Sequence, residues 1–178
     1  MATENQEEIF AFFEENRMPT TDINWYFKGF RKGSDRDLMQ FDKLPKIANY
    51  FQEPEDLIYD TRLDLRVNID HIIGDNRDRF PDEFGTFDKY QLGVIVNGSI
   101  EEAKKRIKRN YKTAIPQYFN GKIQLLLPLC LTSKESADLA LVVEKDNNIY
   151  RAATCLTLDM AINNARLLAK PDDEWLKP

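Results

Sequence analysis

Apolar positions concentrate between Ile123 and Ala169, and their pattern there predicts three strands and a helix. Ile123 to Leu131 is apolar at nearly every position, which suits a central strand covered on both faces. Pro128 cannot donate to a ladder, so a bulge or strand end is expected at that point. Ala137 to Glu144 and Ile149 to Leu156 flank Lys145-Asp146-Asn147-Asn148, a polar turn in which Asn tolerates positive φ; together they predict a hairpin. Thr157 can cap the helix that follows, with Asp159 in its first turn. Leu158, Ile162, Ala165 and Ala169, with Leu168 beside them, are its predicted buried stripe. Asp159, Asn163, Arg166 and Lys170 share the opposite face, and Pro171 ends it.

Upstream the periods are shorter. Glu4 to Asn16 reads as an amphipathic helix with Ile9, Phe10, Phe12 and Phe13 on one face. Asn24 to Lys32 is aromatic and alternating, a strand. Ser34 to Phe41 predicts a short helix capped by Ser34, and Leu44 to Phe51 a further helical turn opening on Pro45. A strand is expected near Leu57 to Asp60, then a helix from about Asp64 to Arg79. Tyr90 to Thr113 is the longest helix, buried through Leu92, Val96, Ile100, Ala103, Ile107 and Tyr111. Gly93 and Gly98 weaken its first half, so a late start at Ser99, boxed by Glu102, is the alternative.

These elements make an α+β fold: a mixed, mainly antiparallel sheet with helices packed on it, in a single domain over residues 1–178. That length can bury a real core. A net charge of -5 gives no global attraction to nucleic acid or anionic membrane, but leaves room for a local basic patch. Cys130 and Cys155 fall on apolar strands and read as buried free thiols. With no signal peptide and no membrane-length apolar run, a cytoplasmic protein is expected. No metal site and no cofactor are expected. Walker, GxGxxG, GxSxG, HExxH and CxxC motifs are absent.

The strings LPLCLT, ADLALVVE and IYRAATCLTLDMAINNARLLAKPDDEWL, with WYFKGF, DLIYDTRLDLRVNIDHI, DNRDRFP and KRNYKTAIPQYF upstream, resemble an uncharacterised bacterial family catalogued as domain of unknown function 3825. The resemblance spans nearly the whole chain and corresponds to the C-terminal part of longer members. It implies an α+β fold and carries no agreed activity.

Three residue groups could carry chemistry. Lys104, Lys105, Lys108, Arg109 and Lys112 share a broad arc of the long helix, and Lys28 and Arg31 interleave with Trp25, Tyr26, Phe27 and Phe30. Cations tracking phosphates and aromatics stacking on bases are what single-stranded nucleic acid requires. The competing reading is a solvated helix face and core aromatics. Tyr150, Arg151, Asp159, Asn163, Asn164 and Arg166 combine donors, acceptors and both charges, as a pocket for a ligand would; the alternative is a polar face turned to solvent. Asp60 to Arg79 alternates in sign around His71, the single histidine, which Asp70 or Asp75 could orient as a base; a solvated helix is the commoner outcome. The leading expectation is a non-catalytic nucleic-acid-binding domain, for RNA. Its rivals are a protein that binds, and can hydrolyse, a small phosphorylated nucleotide through Arg151, Arg166 and Asp159, and a protein-interaction domain.

Overall fold

The computed structural model describes residues 2–17, 23–46, 49–165 and 168. The single domain expected from length is built of two compact units, Met1–Ala48 and Asn49–Pro178.

The first unit is a β-hairpin. β1 (Ile9–Glu15) pairs antiparallel with β2 (Trp25–Lys32). The helix expected over Glu4 to Asn16 is therefore a strand. Ile9, Phe10, Phe12 and Phe13 suit either period, and the aromatic β2 supplies the pairing partner that decides between them. The register shifts beside Gly29, whose φ of 126° admits only glycine comfortably. In place of the helix capped by Ser34 there is one 3-10 turn, Arg36–Leu38, preceded by Asp35, whose carboxylate accepts from the Lys32 N–H. Leu38 and Phe12 are buried. Of the helical turn expected over Leu44 to Phe51, residues 47–48 lie outside the described residues, and the flanking segments are irregular.

The second unit holds a five-stranded sheet in the order β3-β7-β6-β5-β4. Its members are β3 (Asp64–Val67), β4 (Ile115–Phe119), β5 (Lys122–Leu129), β6 (Leu139–Asp146) and β7 (Ile149–Thr157). Only β3 and β7 run parallel. The β6–β7 hairpin turns at Asn147, with φ 53°. Pro128 causes no bulge. It stays in register opposite Ala140, beyond the reach of β4, which pairs only as far as Leu126.

The expected strand at Leu57 to Asp60 is irregular, after a 3-10 turn at Pro54–Leu57. The helix expected from Asp64 begins later. Alternating Leu65 and Val67 belong to β3, and α1 (Ile69–Asp75) starts at Asn68, whose side chain accepts from the His71 N–H at 3.1 Å. α2 (Lys89–Arg109) starts at a capping box of Asp88 and Gln91, not at Ser99, which is buried. Gly93 faces Ile69 and Ile73 of α1, with room for a Cβ at ordinary contact distance. Both helices cover one sheet face, with Ile72, Leu92, Val96, Leu127, Leu141 and Tyr150 at the centre of the core. α3 (Leu158–Ala165) covers part of the other face through Ala161 and Ala165, against Leu126, Ala140, Val142 and Leu156. The predicted stripe is thus rotated: Ala165 is buried, Leu158 is exposed, and Ile162 is 66% exposed. Leu158, Met160, Ala161, Ile162 and Ala165 are all apolar, so packing selects the phase, and small residues win where helix meets sheet. Among the described residues no helix is long and apolar enough to cross a membrane.

Candidate nucleic-acid interface

The C-terminal half of α2 is amphipathic. Ala103 and Ile107 enter the core, which turns Lys105, Lys108 and Arg109 outward, and Lys112 continues the strip in a 3-10 turn, Tyr111–Thr113. Lys104 is half-buried and bonds Glu101 at 2.7 Å. That bond, and the cations of Lys104, Lys105 and Lys108, hold the Glu101 carboxyl below its usual range. Lys105, Lys108, Arg109 and Lys112 form no ion pair among the described residues. Cations here also offset the negative end of the helix dipole, a structural role that needs fewer of them. Tyr111, 57% exposed, lies within the strip.

At the β3 edge the strip meets a cleft of about 420 Å³ lined by Tyr59, Arg62, Leu63, Asp64, Arg66, Lys104 and Lys108, among others. Arg62 binds Asp60 through both carboxylate oxygens, at 2.8 Å each, and holds the Asp60 carboxyl down at about 2. Arg66 has no ion pair among the described residues. Tyr59 is buried and stacks on Tyr150, ring centroids 4.4 Å apart, and its hydroxyl has no hydrogen-bond partner among the described residues. Burial, with Tyr150, Glu101 and Asp60 adding to it, pushes that phenol up to about 12. Sequence reading lists Arg62 and Arg66 only as members of a sign-alternating run and passes over Tyr59. Leu63, Leu65 and Val67 are the available signal: read as a strand, they set the charged residues between them along a sheet edge.

The second predicted group does not converge. Tyr150 is a core residue, 1% exposed, whose hydroxyl oxygen accepts from the Asp60 N–H at 2.9 Å. Arg151 lies at the turn end of β7, ion-paired to Asp146 at 2.6 Å. Asp159, Asn163 and Asn164 are exposed on α3, beyond the other end of that strand. About 20 Å of strand separates Arg151 from Thr157, at ~3.3 Å per residue. Arg166 lies outside the described residues. The structure instead sets Arg151 beside Arg66. On the sheet face turned away from α1 and α2, Gln117, Gln124, Glu144, Arg151 and Arg66 form one row across all five strands. Gln117 donates to Gln124 at 2.8 Å, and Gln124 to Glu144 at 3.2 Å.

The hairpin unit differs in charge. Lys28 pairs with Glu14 at 3.4 Å and lies over the Tyr26 ring, and Arg31 pairs with Asp37 at 2.6 Å and lies over Phe12. The shift at Gly29 brings Phe30 onto the face of Phe27, which also touches Phe13. Trp25, Phe27, Phe30 and Phe13 are all exposed there. His71 pairs with Asp75 at 2.9 Å on the surface of α1. Among the described residues no three His, Cys, Asp or Glu side chains cluster as a metal site. Cys130 and Cys155 are free; Cys155 is buried and Cys130, half-buried, accepts from Arg106 at 3.0 Å.

The family model described as a domain of unknown function (DUF3825) matches residues 1–175. No curated protein and no solved structure matches the chain. The chain belongs to this family.

Proposed function

We propose that this protein is a non-catalytic nucleic-acid-binding module whose ligand is single-stranded RNA. The carrying observation is the strip on α2: in a chain of net charge -5, Lys105, Lys108, Arg109 and Lys112 stand together without ion pairs among the described residues. Exposed aromatics support a single strand as ligand, because unpaired bases stack on them: Tyr111 beside the cations, and Phe13, Trp25, Phe27 and Phe30 on the hairpin. A cytoplasmic setting belongs to this reading and agrees with the free thiols.

The test is fluorescence anisotropy with a short single-stranded RNA over a salt series. Engagement of Arg66 and the four strip cations predicts a log K against log[salt] slope of about -3 to -4. Arg109→Gln with Lys112→Gln should lower that slope by about 1 to 1.5. Undetectable binding, or a flat salt dependence, would sink the reading. The hairpin favours a second reading, contact with a protein, because Lys28 and Arg31 are already paired and the aromatics Phe13, Trp25, Phe27 and Phe30 are exposed.

A further inference from the structure

The cleft at the β3 edge is lined chiefly by donors. Arg62, Arg66, Lys104 and Lys108 offer N–H groups and no side-chain acceptor, and Asp64 is the carboxylate lining it. Asp60 and Glu101, paired with Arg62 and Lys104, bring the local balance to four cations against three anions. The excess resides on Arg66 and Lys108. The two pairs are partly exposed, with the Arg62 side chain 87% and the Lys104 side chain 37% accessible, so an entering anion can draw those cations to itself at modest cost. Tyr59, Leu63 and Leu65 border the cleft and pack into the core behind it. The Tyr59 hydroxyl is covered and has no partner among the described residues, and a buried donor without an acceptor is costly.

We propose that this cleft receives a terminal phosphomonoester, on an RNA end or a nucleotide. The proposal deepens the reading of α2 as a phosphate-contacting surface and rests on it. A phosphomonoester carries about -1.5 to -2 charges at neutral pH and accepts through three oxygens, which suits two Arg, two Lys and a phenol better than an internal diester does. The volume of about 420 Å³ falls in the range of small-ligand sites and leaves room for the sugar.

One RNA sequence carrying a 5′-phosphate, a 3′-phosphate or only hydroxyl ends tests this by anisotropy. One phosphorylated end should bind about tenfold more tightly than the hydroxyl form. Arg66→Gln should abolish that preference, while Arg109→Gln with Lys112→Gln weakens all three forms alike. Tyr59→Phe keeps the ring stacked on Tyr150 and removes the hydroxyl; it should reduce the preference without lowering the melting temperature of the free protein. Equal affinity for all three ends overturns the cleft and leaves the strip standing. If none binds, the strip reading fails, and uridine 5′-monophosphate against uridine in a thermal-shift assay decides the cleft. Stabilisation by the monophosphate that Arg66→Gln removes keeps it as a nucleotide site; no stabilisation overturns it too.

Discussion

On the hairpin, Lys28 and Arg31 each have a carboxylate partner and an aromatic ring beneath them. On α2 and the turn after it, Lys105, Lys108, Arg109 and Lys112 have no ion pair among the described residues. The same residue types therefore play different parts. The hairpin cations Lys28 and Arg31 tie strands and turns together, while the strip cations, though Lys105 and Lys108 act on Glu101 through space, remain open to an outside anion. An ion pair at the surface contributes little stability but does cancel charge at long range. The hairpin thus offers exposed aromatics beside paired cations, and the end of α2 offers cations without ion pairs among the described residues.

Charge reversal breaks or sharpens this contrast most directly. Lys108→Glu, Arg109→Glu and Lys112→Glu together should weaken RNA binding by about a hundredfold or more at moderate salt. Lys28→Gln should change it less than about twofold. Both are read by anisotropy with the same RNA. Equal losses would mean that the hairpin cations exchange partners readily, and the distinction between the two regions would go.

Stability offers the next contrast. Leu127 is fully buried at the centre of the sheet, so Leu127→Ala should cost about 2–5 kcal/mol in urea denaturation. Trp25 is 62% exposed, so Trp25→Ala should stay within roughly 0.5 kcal/mol. A large loss at Trp25 would show that the aromatic face is covered in solution, by another part of the chain or by a second copy.

The α+β class and the hairpin of β6 and β7 are legible in the sequence because continuous apolar runs and Asn147-Asn148 satisfy strand and turn chemistry locally. Elements whose identity depends on a partner are not. Ile9 to Glu15 fits a helix until Trp25 to Lys32 is available to pair with it, and Asp64 to Val67 is a strand because β7 offers an edge. Ile162 looks buried by spacing, yet Ala161 and Ala165 meet the sheet. The basic arc is legible from helical period alone, since its residues come from one element. The cleft is not, because Arg62 and Arg66 reach Lys104 and Lys108 only through the sheet edge. The grouping of Tyr150 with Asp159 fails for the same reason in reverse: neighbours in sequence lie at opposite ends of a strand.

The smallest effect concerns the cleft itself, where paired Arg62 and unpaired Arg66 repeat the larger contrast within a few residues. Hydrogen bonds from Arg62 hold the Asp60 carboxyl at about 2, below its ordinary 3.8. A depressed carboxylate contributes stability that is present above the unfolded value and is lost as pH falls through the folded one. The window therefore runs from about pH 4 down to about 2, and the exposure of the Arg62 side chain keeps the effect slight. Carboxyl-carbon NMR should place the Asp60 midpoint near that low value, and Arg62→Gln should return it toward 3.8. A wild-type midpoint already near 3.8 would mean that Arg62 does not hold Asp60 in solution. Arg62 would then stand with Arg66 as a cation open to an entering anion, with the local balance of charge unchanged.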